Sequence, residues 1–257
     1  MKIFVCIKQV PDTETKIKIA ADANGIDTAS IKWILNPYDE YAVEEAVKLK
    51  ETQPGSTVTV FTLGPKKRAG DVLRTALAMG ADEGVLIDAP ENMDPLVTAK
   101  ALASAIQKEG EFDLILSGKA AIDDNASSVG PMLAQILNIP HSSVVSKLTV
   151  SEKNFLVERE VEGGTVEISQ LQSPALVAAT KGLNTPRYAS LPGIMKAKKK
   201  VLKELDLPTL GVEAATPTKL VQFRLPAEKP ATKILSGDIT HQVNELVRLL
   251  RDEAKAL

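Results

Sequence analysis

Four short apolar runs, at residues 2–7, 57–62, 84–87 and 113–116, alternate with segments 38–50, 66–79 and 95–107, in which Ala, Val and Leu recur every third or fourth residue. A continuous apolar run of about four to eight residues suits a strand covered on both faces, and the longer spacing gives a helix one apolar stripe. Regular alternation of the two leaves little besides a doubly wound α/β fold, a largely parallel sheet covered on both sides by its own crossover helices.

The pattern changes near His141. Short β-rich pieces follow one another at 143–150, 155–161, 165–170 and 175–179, with Gly163-Gly164 between two of them. Adjacent glycines supply the positive φ of a tight hairpin turn, so these pieces predict an antiparallel β extension of the sheet. From Tyr188 to Pro230 the period is lost, and the stretch holds Pro192, Pro208, Pro217, Pro226 and Pro230 with the basic run Lys196-Ala197-Lys198-Lys199-Lys200. A segment this long without structure of its own reads as a binding arm. Helical spacing returns over 238–256 through Val243, Leu246, Val247, Leu249 and Leu250, with Asp238 or Thr240 as N-cap. The chain is expected to divide into an α/β region with its β extension at 1–187, an arm at 188–237 and a closing amphipathic helix at 238–257.

A formal net charge of -2 gives no bulk attraction to polyanions, so nucleic acid is not an expected partner. The only cysteine, Cys6, lies inside an apolar run, and His141 and His241 are far apart without zinc-like spacing. Neither an internal disulfide framework nor a metal site is therefore expected. Met1 to Ile7 reads as a first strand, shorter than a signal peptide needs, and no stretch approaches the about 18 apolar residues of a membrane span. The expectation is a cytoplasmic location without a targeting segment, or the mitochondrial matrix for a eukaryotic source.

The strongest local sign of a ligand lies at 114–130. A buried strand through Leu114-Ile115-Leu116 ends at Ser117-Gly118-Lys119, and the polar run Asp123-Asp124-Asn125-Ala126-Ser127-Ser128 opens a helix at Val129. Unpaired N–H groups and the dipole at a helix start attract anions, and open α/β sheets take ligands beyond the carboxyl ends of their strands. A phosphate suits such a place. The same residues also suit a simpler role, Asn125 or Ser127 capping its own helix, and the loop is neither a Walker loop nor Gly-x-Gly-x-x-Gly. Asp123 and Asp124 fit loop hydrogen bonds or a ribose hydroxyl better than a phosphate.

Cys6 and Asn36-Pro37-Tyr38-Asp39 should reach the same sheet edge, although alone they read as a small buried hydrophobe and a helix-start turn. Glu44-Glu45, among Lys48 and Lys50, reads as a solvated charged face. No Ser-His-Asp or Cys-His set is legible, so no independent catalytic site is expected.

Several longer stretches carry a resemblance: Val5-Cys6-Ile7-Lys8-Gln9-Val10, Asn36-Pro37-Tyr38-Asp39 leading into Ala42-Val43-Glu44-Glu45-Ala46, and Arg74-Thr75-Ala76-Leu77-Ala78-Met79-Gly80-Ala81-Asp82. Val157-Glu158-Arg159-Glu160 with Gly163-Gly164, Pro174-Ala175-Leu176-Val177 and the run from Asn184 to Lys200 complete it. In this order and over nearly the whole length, the sequence resembles the beta subunits of electron transfer flavoproteins. The resemblance implies an adenine-nucleotide alpha-hydrolase-like sheet and a heterodimer with an alpha subunit. That alpha subunit would carry FAD as the redox centre while this chain buries a structural AMP. Electrons would come from dehydrogenases, notably those of acyl-CoA and fatty acid oxidation, and leave to a quinone oxidoreductase.

By position in the motifs, the AMP would lie against Cys6, Asn36, Pro37, Tyr38, Asp39, Leu63, Gly118, Lys119, Asp123, Asn125, Ala126, Ser127, Ser128 and Val129, with Tyr38 also reaching the flavin. Leu191, Ile194 and Met195 would anchor the protein on its dehydrogenase, as aliphatic residues in a polar segment can, or else pack the arm onto its own domain. Arg159 and Glu160 would face the mobile flavin domain. One departure bears on the ligand. Relatives that hold a second FAD and bifurcate electrons resemble Ile-Asp-Gly-Asp-Thr-Ala-Gln-Val-Gly-Pro here. This chain keeps Val129-Gly130-Pro131 but has Asp124 at the glycine, which adds a side chain and a charge where a pyrophosphate would pass. AMP is favoured; a bifurcating subunit with its own FAD and a stand-alone nucleotide-hydrolysing enzyme are the alternatives.

Overall fold

The computed structural model describes residues 1–215, 217–218, 220–229 and 231–257, so Pro230 of the proline-bearing stretch falls outside it. Strands β1 (Lys2–Ile7), β2 (Gln9–Pro11) and β3 (Trp33–Leu35) precede helix α1 (Pro37–Thr52). Then come β4 (Thr57–Gly64), α2 (Lys66–Met79), β5 (Glu83–Asp88), α3 (Pro95–Glu109), β6 (Leu114–Gly118) and α4 (Val129–Leu137). The later elements are β7 (His141–Ser151), β8 (Asn154–Val161), β9 (Thr165–Gln172), β10 (Ala175–Ala179), α5 (Leu191–Lys199), β11 (Lys203–Asp206) and α6 (Ile239–Arg248).

Among the described residues the main sheet runs β11-β5-β4-β1-β6-β10-β7-β8-β9, and the order reverses beside β1, which pairs in parallel with β4 on one side and β6 on the other. This is the doubly wound arrangement, and its switch point brings the ends of β1 and β6 together, with Cys6 opposite Ser117. One apolar layer gathers Ile3, Val5, Val43 and Leu73 on the α1 and α2 side. The opposite layer gathers Phe4, Phe61, Ile106, Ile115 and Leu133, with Phe4 edge-on to Phe61 at 5.0 Å between ring centres. Both faces of β1, β4 and β6 are thereby dry, which is why these strands read as unbroken apolar runs.

β7, β8 and β9 form the expected antiparallel extension, turned at Gly163 and Gly164 with φ of 79° and 75°. The strand 175–179, expected in that extension, instead lies in the parallel part as β10, parallel to both β6 and β7. All five of its residues are buried, so no alternation distinguishes the two placements. The expected arm also departs from the structure over 191–206. Leu191–Lys199 is a helix and Lys203–Asp206 extends the sheet beside β5. Pro192 stands in the first turn of α5, where its missing N–H costs nothing, and Ser190 caps the helix by accepting the Gly193 N–H at 3.1 Å. Gly193 is required because a Cβ there would collide with the Ala78 carbonyl oxygen at the end of α2.

Met1–Ile17 with Asp27–Val221 form one compact unit, and Lys18–Ile26 with Gln222–Leu257 form a second. In the second, Ile19 bridges Ile26 in antiparallel fashion, and the Phe223 N–H donates to the Ala23 carbonyl. Its helix α6 is capped by Asp238, which accepts the His241 N–H at 2.8 Å, and continues into a wider turn over Leu249–Glu253. Ile239, Val243, Leu246 and Val247 on α6 are exposed. Among the described residues no helix is long and apolar enough to cross a membrane.

Candidate nucleotide site

The residues expected to hold a nucleotide lie along the carboxyl edge of the parallel strands. Cys6 is near the end of β1, Leu63 near the end of β4, Gly118 ends β6, and Val129 begins α4. What ties them together is the start of α1. Asn36 and Asp39 are both buried, and neither serves its own helix in the usual way. Asn36 sits at the N-cap position without a side-chain cap. Its Nδ2 instead donates to the Ala120 carbonyl at 2.9 Å, and its Oδ1 accepts the Ile122 N–H at 3.2 Å. Asp39 accepts the Lys8 N–H at 2.7 Å on one oxygen and the Gly118 N–H at 2.9 Å on the other. The Asn36 N–H donates to the Lys8 carbonyl at 3.0 Å. One helical turn therefore fixes the end of β1 and the first residues of the loop after β6.

This approach is close enough to dictate Gly118. A Cβ there would strike Asp39 Oδ1, the Tyr38 Cβ at 2.7 Å and the Tyr38 carbonyl carbon at 2.8 Å. Burial pushes the Asp39 carboxyl up to about 7, while hydrogen bonds from Lys8, Asn36 and Gly118 and the Lys8 charge pull the other way. Burial, then Asp39, push the Cys6 thiol up to about 12, so it stays protonated at neutral pH and is a poor nucleophile. Lys119 places its ammonium 4.8 Å from the centre of the Tyr38 ring, and its N–H donates to the Ala179 carbonyl.

Between Ala121 and Ser128 the backbone is unusual. Asn125 and Ser127 take φ of 51° and 52°, and the Asn125 N–H donates to the Ala121 carbonyl at 2.8 Å. Asp124 accepts the Ala126 N–H at 3.0 Å. Neither Asn125 nor Ser127 caps α4. Ser128 occupies that position without a side-chain hydrogen bond, leaving the first N–H groups of the helix to another partner. Beneath them, the Ser117 Oγ is buried with no hydrogen-bond partner, and a Cβ on Gly130 would meet it at 3.4 Å. An uncapped helix start is an arrangement that can receive an anion.

Two residues of this edge escape sequence reasoning. Ser117 reads only as the end of a strand. Lys8 reads as the first polar residue after β1, yet its Nζ lies 2.8 Å from Asp123 and 2.9 Å from Asp124. Burial disfavours the Lys8 charge, but the two carboxylates outweigh it and hold the ammonium above its ordinary range. No spacing rule links positions 115 residues apart.

The other singled-out residues lie on other elements. Leu191, Ile194 and Met195 are exposed on α5. Arg159 and Glu160 are on β8, where Arg159 Nε is 3.9 Å from Glu167 across to β9. Glu44 and Glu45, expected on a solvated face, are buried. Glu44 holds Arg187 through both oxygens at 2.9 and 3.1 Å, and Glu45 accepts from Asn184 at 2.9 Å. These contacts bind the segment after β10 to α1, so the pair has a structural use in place of the solvated face expected of it.

Comparison with known proteins agrees with this architecture. Residues 24–210 match the electron transfer flavoprotein domain. Over the full length of both chains the sequence is 45% identical to "Electron transfer flavoprotein subunit beta" of Bacillus subtilis (strain 168), and 40% identical to the protein of the same name from Bradyrhizobium diazoefficiens. It is 38% identical to the human protein of that name, with 97% of this chain and 99% of the human one covered.

Proposed function

The chain belongs to the electron transfer flavoproteins as a beta subunit, and from that premise we propose that it binds one AMP as a structural cofactor beside a flavin-bearing alpha subunit. The observation that carries the nucleotide assignment is the uncapped start of α4 above the unpartnered Ser117 hydroxyl. N–H groups of the first turn of α4 would meet the phosphate, with Ser127 and Ser128 beside them. Cys6, Asn36, Pro37, Tyr38, Asp39, Leu63, Gly118, Lys119, Asp123, Asn125, Ala126 and Val129 would line the rest, and Tyr38 would also reach the partner's flavin. FAD supplies the redox chemistry when bound to the alpha subunit. The role of this chain is to hold shape and to dock, and its one thiol stays protonated and shielded.

In this assignment Leu191, Ile194 and Met195 form the aliphatic anchor that seats the carrier on acyl-CoA or related dehydrogenases. Their exposure on a helix otherwise edged by lysines supports that role. Arg159 and Glu160 would bias the orientation of the flavin domain, electrons would pass on to a quinone oxidoreductase, and the pair would work in the cytoplasm. Heat release of nucleotides from the copurified heterodimer tests the central point. One AMP and one FAD per dimer are expected, whereas two FAD would establish the bifurcating alternative, which Asp124 disfavours by setting a carboxylate in the loop.

A further inference from the structure

We propose that Arg74, on α2, is a positioning residue for docking: it fixes the last turn of α5 so that Leu191, Ile194 and Met195 meet a dehydrogenase as a preformed surface. The inference rests on the anchor role assigned to those three residues above and adds what holds them in place. A nine-residue helix is marginal by itself, and such a helix ordinarily stays on its domain by burying an apolar face. α5 does the opposite. Leu191, Ile194 and Met195 are 72%, 38% and 58% exposed, and within the helix only Ala197 is buried. An aliphatic face that packed α5 onto its own domain would be covered, so the helix is held by something else.

Its seat is polar and reciprocal. The Arg74 Nη1 donates to the Ala197 carbonyl at 2.7 Å and reaches the carbonyls of Lys198 and Lys200 at 3.4 and 3.3 Å. α2 thereby supplies a partner for carbonyls that the end of any helix leaves open. In return, Lys200 Nζ donates to the carbonyls of Ala81 and Asp82, just after α2, at 2.9 and 2.6 Å. Beyond α5, Leu202 packs on the core over Gly70 and Gly84. Arg74 is half-buried, and its planar guanidinium keeps its donors in a fixed direction, as a lysine ammonium does not. A surface ordered before the encounter spares docking the entropic cost of ordering it, which acts on affinity and leaves electron transfer within the complex unchanged.

The test uses the copurified heterodimer as electron acceptor for a purified acyl-CoA dehydrogenase with its acyl-CoA substrate in excess. Arg74→Gln is expected to raise the KM for the carrier about tenfold, with kcat within about twofold and nucleotide content unchanged. Hydrogen exchange of the amides at 194–200 should quicken by about tenfold or more in the same variant. Arg74→Lys keeps the charge and a donor, and should bring the KM back to about threefold above wild type. In a Leu191→Ala background Arg74→Gln should add less than about threefold, because the surface it places is already cut. The same tenfold in both backgrounds would overturn the positioning role, as would a KM within about twofold of wild type in Arg74→Gln. Should that variant not assemble, Lys200→Gln loosens the other side of the seat: a KM raised about threefold is expected, and an unchanged one overturns the role. Failure of the anchor assignment itself looks different, since Leu191→Ala alone would then leave the KM unchanged, and the positioning role would fall with it.

Discussion

The start of α1 and the start of α6 are two helix beginnings with opposite allegiances. At α1 the side chains of the N-cap residue Asn36 and the first-turn Asp39 reach outside their own helix and hold Lys8, Gly118, Ala120 and Ile122 from buried positions. At α6 the capping carboxylate of Asp238 serves its own turn, and four apolar side chains of the helix face outward. The first is a junction on which distant segments converge; the second is a local structure, complete in its hydrogen bonds and incomplete in its apolar contacts. Polar residues at a helix start thus have two distinct uses, and only burial separates them.

Substitution can break that contrast at several points. Asp39→Ala should have the largest effect, since it strands the N–H groups of Lys8 and Gly118 without acceptors. The expected loss is about 2–6 kcal/mol of unfolding free energy in denaturant titration, at about 1–3 kcal/mol for each of the two orphaned groups. A loss below about 1 kcal/mol would show that α1 is no junction. Arg187→Ala comes next, because it leaves the buried Glu44 carboxylate unpaired. About 2–3 kcal/mol is expected, discounted because the Arg187 side chain is 34% exposed.

The third expectation concerns pH. The folded-state value for Asp39 lies above its ordinary value, so between about 4 and 7 the native state binds more protons than the unfolded one. The Asp39 contribution to stability is therefore greatest below that window and is lost as pH rises through it. Asp39→Asn should flatten this part of the stability profile, and an identical profile in the variant would remove the assignment. A smaller effect is expected for Leu191→Ala, about tenfold in the efficiency of electron acceptance from a dehydrogenase, or about 1.4 kcal/mol, with AMP content and the heterodimer intact. Unchanged transfer kinetics would dispose of the anchor. Smallest of all, Val243→Ser on α6 should change the unfolding free energy of the single chain by less than about 0.5 kcal/mol, because that side chain is already in water.

How much of this was legible depends on what each residue faces. β1, β4, β5 and β6 and helices α1 to α3 announced themselves, because strands dry on both faces and helices dry on one leave unmistakable periods. β10 was found as a strand but misplaced as antiparallel, since five buried residues carry no sign of direction. β11, Lys-Glu-Leu-Asp, is an edge strand whose charged side chains hide its pairing, and Pro192-Gly193 looks like loop until Ala78 is seen behind it. The passage from the strand at 114–116 through a polar loop to a helix at Val129 was legible as such. What the sequence could not carry was the division of labour around it, because Lys8 meets Asp123 and Asp124, and Asn36 meets Ala120 and Ile122, only after the chain has folded back.

The hold that α1 exerts on that loop touches main chain alone: carbonyl of Ala120, amides of Gly118 and Ile122. Such a grip is blind to the side chains it carries, save for the absent one at Gly118. Evolution, or an engineer, can therefore rewrite positions 123–128 to suit a different guest without renegotiating the scaffold, and transplanting that hexapeptide between relatives should carry its ligand preference with it.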